Sequence, residues 1–318
     1  MDDDDILIHN NSQKESINHS NMPWVEKYRP KIVDNIVKQT EVVKMLTKTL
    51  ETGHMPNLLF HGPPGIGKTT TILAAVSQMF GPEKIEERVI ELNASDDRGI
   101  NVVRDTIIAF AKRVIGTPDP AYPSPPFKVI ILDEADAMTP EAQAALRKVM
   151  EMTTNITRFC FICNYITKII EPIVSRCMKF RFKPIDETTI CKQLKFICEK
   201  EKIKIDASVI KNIGKFADGD LRKAIMTLQN IKYTQKERIT AKDYDFISGI
   251  IDMSLLNIIW ETSVNKSVSE IKTCVDMIAR SGYQIQTIIL FIKDNVLNCN
   301  TKSLTEIKQA KILIKLVL

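Results

Sequence analysis

The chain has 318 residues, 44% of them apolar, and a formal net charge of +5. That length exceeds one compact unit of ordinary size and calls for two or three domains. No apolar run approaches the roughly 18 residues of a membrane span, and the seven cysteines lack the spacing of a disulfide framework, which fits a reducing compartment.

Residues 1–22 are acidic and polar, with neither the basic start nor the apolar core of a signal peptide. A segment this poor in apolar patterning cannot offset the entropy of ordering, so a disordered tail is expected. Its Asp2–Asp5 cluster reads either as solvated tail or as a partner-binding feature. Asp2–Asp5 and Glu15 against Lys14 give −4 for residues 1–22, which leaves +9 on the rest. A basic body suits a polyanionic partner, although charge bears on association and not on fold.

Val42, Val43, Leu46 and Leu50 recur at helical spacing ahead of Gly53. "NLLFH" (57–61) is a short apolar strand that runs into a glycine-rich turn, and "TTTILAAVSQMF" after it is a helix stopped by Gly81-Pro82. "RVIEL" (88–92) is a second strand, and "INVVRDTIIAFAKRVIG" an amphipathic helix ending at Gly116. The proline-punctuated "TPDPAYPSPPF" can be neither helix nor central strand. "KVIILDEAD" is a β-branched strand ending in acids, and Thr139-Pro140 supplies an N-cap and first helical residue for "EAQAALRKVMEM". "RFCFICN" is a further strand; its Cys160 and Cys163 read as small apolar strand residues ahead of a metal or redox pair. Alternating strands and helices with continuous apolar strands predict an α/β domain, a parallel sheet covered on both faces. After "KFRFKP" the pattern turns helical, with Leu221, Ala224, Ile225 and Leu228 on one stripe. The expected domains are a 1–22 tail, an α/β domain at 23–184, a small helical domain at 185–240 and an all-α domain at 241–318.

"GPPGIGKT" (62–69) matches the phosphate-binding pattern G-x-x-x-x-G-K-[ST] between a strand and a helix, the context that pattern requires. Gly62, Gly65 and Gly67 let backbone N–H groups turn toward phosphate oxygens, helped by the helix N-terminus. Pro63, Pro64, Ile66 and Thr70 complete the expected nucleotide-holding loop. Lys68 is the candidate for the β- and γ-phosphates of ATP, and the Thr69 hydroxyl for Mg²⁺. The strand "VIIL" delivers Asp133 and Glu134 to a strand end, where switch-point geometry sets a carboxylate beside the phosphate loop. Asp133 is the second candidate Mg²⁺ ligand and Glu134 the candidate for polarising the attacking water. His61 reads as a strand-end residue and Asp136 as structural or coupling.

The boxes "PWVEKYRP", "LLFHGPPGIGKTTTILA", "ELNASDDRGINVVR", "VIILDEAD", "FICNYITKIIEPIVSRC" and "GDLRKAI" occur in this order. Together they resemble the small subunits of replication factor C, the AAA+ loader of the sliding clamp PCNA. "TRFCFICNYITKIIEPIVSRCMKFRFKP" is similar to the branch numbered 4 in vertebrates and 2 in budding yeast. The likeness is dense over about residues 22–232 and thin beyond.

That resemblance implies an AAA+ P-loop domain, a helical lid and an all-α collar. It also implies Val25, Tyr28 and Arg29 beside the adenine, with an N-terminal anchoring segment as the other reading. Asn164 matches sensor 1, an amide that would orient water or γ-phosphate, and Arg222 matches sensor 2, against a plain surface arginine. Arg176 of "SRC" matches an arginine that acts in trans on the neighbouring subunit's ATP. The implied partners are the other subunits of a hetero-pentamer, PCNA and primer–template DNA, with no membrane; the implied compartment is the nucleus, in DNA replication and repair. Arg98, Arg104, Lys112, Arg147 and Lys148 are DNA-backbone candidates: at ~100° per residue Arg104 and Lys112 fall opposite the apolar face of their helix. Each of these also reads as a solvated charge. The loop 116–127 is a candidate clamp contact or a variable surface loop.

"EIKQAKILIKLVL" ends on apolar residues where the family runs longer. Truncation, a compact variant and an incomplete gene model each account for that, so the expectation of a collar rests on less than that of ATP binding. Two rivals to a clamp-loader ATPase stand open at this point. A helicase-type AAA+ motor would be expected to carry a strand-separating appendage, and a silent scaffold subunit of the same or an alternative loader to have lost Lys68, Thr69 or Glu134.

Overall fold

The computed structural model describes residues 22–36, 39–94, 100–113, 115–233 and 268–280, with single positions 239, 240, 244, 258, 288, 289 and 293. Arg98, the tail 1–21 and most of the proposed collar lie outside them. The chain divides into two compact units, Met1–Tyr233 and Thr234–Leu318.

In the first unit the elements follow in the order α1 (Trp24–Lys27), α2 (Thr40–Thr52), β1 (Leu58–His61), α3 (Lys68–Phe80) and α4 (Ile85–Arg88). Then come β2 (Val89–Asn93), α5 (Ile100–Lys112), β3 (Lys128–Asp133), α6 (Pro140–Thr153) and β4 (Thr157–Cys163). The unit closes with α7 (Glu171–Val174), β5 (Met178–Arg181), α8 (Glu187–Lys200), α9 (Ala207–Phe216) and α10 (Leu221–Lys232). In the second unit the described helix is α11 (Val268–Arg280), whose Val275 and Met277 are exposed.

The five strands form one parallel sheet in the order β2-β3-β4-β1-β5. Side chains alternate along each strand, and the two faces feed separate cores. Leu58, Phe60, Val129, Ile131, Cys160 and Ile162 join one cluster with Ile72, Val76 and Phe80 of α3. Leu59, Ile130, Leu132, Phe159, Phe161 and Cys163 join the other with Ile107 and Phe110 of α5 and Leu146 and Val149 of α6. Both faces are thus dry, which is why the strands read as unbroken apolar runs. Cys160 and Cys163 face opposite cores, so this pair cannot close on one ion.

Register brings His61 opposite Cys163 and Asn93 opposite Asp133. The carboxyl ends of β1, β3 and β4 therefore meet at one edge, and the loops leaving them share a crevice.

One sequence expectation about the helix ends holds and one shifts. Thr139 does cap α6, its hydroxyl accepting from the Ala142 N–H at 3.3 Å, with Pro140 in the first turn. The helix expected to run to Gly116 instead stops at Lys112. Buried Lys128 caps that end: its ammonium donates to the carbonyls of Phe110, at 2.7 Å, and Arg113. Buried Arg88 ties down the proline-rich loop in a similar way, donating to Gly116 O at 3.0 Å and Pro125 O at 3.4 Å.

Candidate functional site: a nucleotide cleft between sheet edge and lid

One cleft is lined by Val25, Tyr28 and Arg29 from the N-terminal segment, Pro64–Thr70 from the phosphate loop, Asp133 and Glu134 from the end of β3, Asn164 after β4, and Arg222 of α10. Residues spread over nearly 200 positions of sequence converge there because the parallel sheet aligns its strand ends and α10 folds back over them.

The loop approaches its neighbours so closely that two of its positions admit only glycine. A Cβ on Gly62 would lie 2.5 Å from the carbonyl oxygen of Phe182, and one on Gly65 would lie 1.8 Å from the Asp220 carboxylate. Both glycines also sit at positive φ. Gly65 O accepts from the N–H of Leu221 at 3.1 Å, so the first turn of α10 docks on the loop itself.

Lys68 opens α3 and is buried. Its ammonium donates to Gly62 O and Pro63 O, both at 2.7 Å, and to Asn164 Oδ1 at 2.9 Å. Burial pushes its pKa down, while Asp133 and Asp136 oppose that push. The Thr69 hydroxyl donates to Asp133 Oδ2 at 2.6 Å, and Asp133 Oδ1 accepts from the backbone N–H of Glu134 at 2.8 Å. Glu134 takes left-handed backbone (φ 54°) and exposes its side chain at the cleft. Asp136 accepts from the backbone N–H of Asn164 at 3.2 Å and of Tyr165 at 3.1 Å, which fixes the turn that presents Asn164. Its position supports the coupling reading over a catalytic one. His61 ends β1 beside the loop, and burial, with Arg181, Lys179 and Lys68, lowers its pKa.

Arg176 is not among the cleft's lining residues. It lies exposed on the turn after α7, donating to Pro172 O at 2.8 Å and to Glu151 Oε1 at 2.8 Å. Arg147 donates to that same oxygen at 3.1 Å. Arg147 and Lys148 on α6 and Lys112 at the end of α5 are all exposed, and α5 packs against α6. Arg104 lies on α5, its side chain outside the described residues.

Several participants were not singled out as site residues by the sequence, although Asp220, Leu221 and Ile225 lie in the box "GDLRKAI". Ile36, Ile185, Leu221 and Ile225 line the cleft as ordinary apolar residues. Asp220, which caps α10 by accepting from Lys223 N at 2.9 Å, became visible only through its approach to Gly65.

Among the described residues, no helix is long and apolar enough to cross a membrane. Residues 58–185 match the family described as ATPase family associated with various cellular activities (AAA), a nucleotide-binding domain, and residues 192–233 match the RCF1/5-like AAA+ ATPase lid domain. Replication factor C subunit 4 of Arabidopsis thaliana is 45% identical over 92% of this chain and 87% of its own length. The human subunit 4 is 46% identical, covering 88% and 77%, and subunit 2 of Saccharomyces cerevisiae is 42% identical, covering 84% and 78%. The Thermotoga maritima RuvB Holliday junction branch migration motor superposes with a TM-score of 0.53 over 74% of this chain and 78% of its own. At 17% identity that likeness speaks to the fold alone. The relatives favour neither a helicase-type motor nor a silent scaffold. The chain belongs to the replication factor C subunits, ATP-hydrolysing clamp-loader proteins of the AAA+ class.

Proposed function

We propose that this chain is an ATP- and Mg²⁺-using subunit of a nuclear hetero-pentamer that loads PCNA onto primer–template DNA in replication and repair. The observation that carries the nucleotide reading is the convergence of Lys68, Asn164, Thr69, Asp133 and Glu134 at one sheet edge. Thr69 and Asp133 offer hard oxygen donors, which suit magnesium better than any nitrogen or sulfur set. Magnesium, when bound, would neutralise charge on the β- and γ-phosphates.

The chain's own residues supply the remainder. Loop N–H groups and the N-terminus of α3 favour an anion. Lys68 exchanges its loop carbonyls for phosphate oxygens, a trade made favourable by the charge-assisted bond. Asn164, tethered through Asp136, orients the attacking water or the γ-phosphate, and Glu134 accepts the proton that this water loses. Arg222 reaches into the cleft from α10, so a phosphate contact there draws lid and sheet together. Val25, Tyr28 and Arg29 wall the base side. Arg176 serves the adjoining subunit's γ-phosphate, consistent with its exposed place away from its own cleft. Lys112, Arg104, Arg98, Arg147 and Lys148 track the DNA backbone without reading bases.

Lys68→Ala tests the site directly. ATP affinity at this subunit should fall by at least about tenfold, the loss of one charge-assisted contact. An unchanged affinity would remove the phosphate-site assignment.

A further inference from the structure

Residues 24–28 do more than wall the cleft. Their other side is fastened to the lid helices by contacts that the nucleotide chemistry does not require. The Trp24 N–H donates to Gln229 Oε1 at 3.0 Å, and the Lys232 ammonium sits 5.1 Å above the Trp24 ring. The Tyr28 ring meets Phe196 of α8 edge-on at 6.3 Å. At the centre is Glu201: Oε1 accepts from Tyr28 OH at 2.6 Å and from Lys27 Nζ at 2.5 Å, and Oε2 accepts from Lys232 Nζ at 3.1 Å.

Glu201 is the C-cap residue of α8. A carboxylate there faces the negative end of the helix dipole, so local helix energetics work against it. Its side chain is also only 10% exposed. Three donors from two other elements nevertheless hold its pKa down at about 2. A carboxylate kept in a locally unfavourable place by distant partners is there for those partners. One of them, Tyr28, lines the nucleotide cleft. The elements so joined also share a helix with the phosphate end of the site: α10 carries Arg222 in its first turn and Gln229 and Lys232 in its last.

We propose that Glu201 is a positioning residue for nucleotide binding, fastening Tyr28 and the N-terminal segment to the lid so that the base-side wall and Arg222 move as one body over the phosphate loop. Base and γ-phosphate are then sensed by the same lid, and a nucleotide lacking either contact closes it incompletely. This inference rests on the nucleotide-site reading above.

The test uses the assembled complex with the phosphate-loop lysines of the other subunits substituted, so that ATP turnover reports on this subunit. Glu201→Gln keeps the shape and removes the charge. It should raise KM for ATP about five- to tenfold, as expected for weakening a charge-assisted hydrogen bond, and lower kcat by a smaller factor, since Arg222 rides on the same lid. In a Tyr28→Phe background the added effect of Glu201→Gln should be smaller, since one hydrogen bond is then already absent. An unchanged KM with Glu201→Gln would overturn the proposal. So would a joint fall of kcat and melting temperature without a KM change, which would mark Glu201 as lid packing alone. Lys68→Ala measured in parallel separates the two readings: if it too leaves KM unchanged, the nucleotide site is misassigned and the positioning role falls with it.

Discussion

The hydroxyl of Thr69 donates to the carboxylate of Asp133 at 2.6 Å, joining the first turn of α3 to the end of β3 across 64 residues of sequence. Neither residue can be placed beside the other by local rules. The sheet order does it, by laying β4 between β1 and β3 and aligning all three carboxyl ends. Two hard oxygen donors brought together in this way are the pair we propose to hold magnesium. Asp133→Asn keeps the shape and removes the charge, and should weaken Mg²⁺-dependent ATP turnover by at least about tenfold. Thr69→Ser, which keeps the hydroxyl, should stay close to wild type. Titration of ATP hydrolysis against Mg²⁺ checks both: the Asp133→Asn curve should shift to higher metal concentration.

Arg176 and Arg147 share one oxygen of Glu151. In the proposed trans role Arg176 would leave Glu151, and Arg147 would remain to neutralise that carboxylate. Arg176→Ala should leave ATP affinity at this chain's own cleft unchanged. Hydrolysis at the adjoining site should fall by about 10³-fold, within the range of arginines that act in trans. A loss confined to the chain's own site would refute the trans role.

The exposed cations on α5 and α6 are expected to act on DNA through phosphates. Lys148→Ala and Lys112→Ala should each weaken binding of primer–template DNA equally for unrelated sequences. Each should also reduce the slope of log affinity against log salt by about one, the signature of one lost phosphate contact. Fluorescence anisotropy across a salt series measures this; an unchanged slope would make these residues solvated charges only.

Glu201 also gives the protein a defined acid sensitivity. Its pKa is lowered from 4.5 to about 2, with burial opposing the shift and the donors Lys27, Tyr28 and Lys232 driving it. A carboxyl whose folded value is depressed contributes stability that is complete above its ordinary value and is lost as pH falls toward the folded one. The stability difference between wild type and Glu201→Gln should therefore be constant above about pH 5 and shrink as pH drops toward 2. Urea midpoints measured for both proteins across that range give the comparison.

What the sequence disclosed follows from where the information sits. The parallel sheet was legible because β1, β3 and β4 are buried on both faces and so contain few polar residues to break their apolar runs. The phosphate loop was legible because its glycines take positive φ within one short stretch between a strand and a helix. The lid's grip on Tyr28 was not, because Glu201 lies 173 residues away and nothing in the neighbourhood of either residue marks the other. Arg88 and Lys128 were equally opaque. Each is a buried cation whose partners are main-chain carbonyls, and such acceptors leave no trace in side-chain pattern. The early end of α5, where Lys128 caps the carbonyls, was missed for the same reason.

The most direct measurement is clamp loading by the reconstituted pentamer. This chain, co-expressed with the other replication factor C subunits, should enter a stable five-membered complex. ATP hydrolysis by that complex should rise when PCNA and primer–template DNA are added together, and Lys68→Ala in this chain alone should cut both the stimulated hydrolysis and the loading of PCNA. A chain that never enters the pentamer, or a Lys68→Ala complex that loads PCNA at the wild-type rate, would contradict a role for this subunit as a working clamp-loader ATPase.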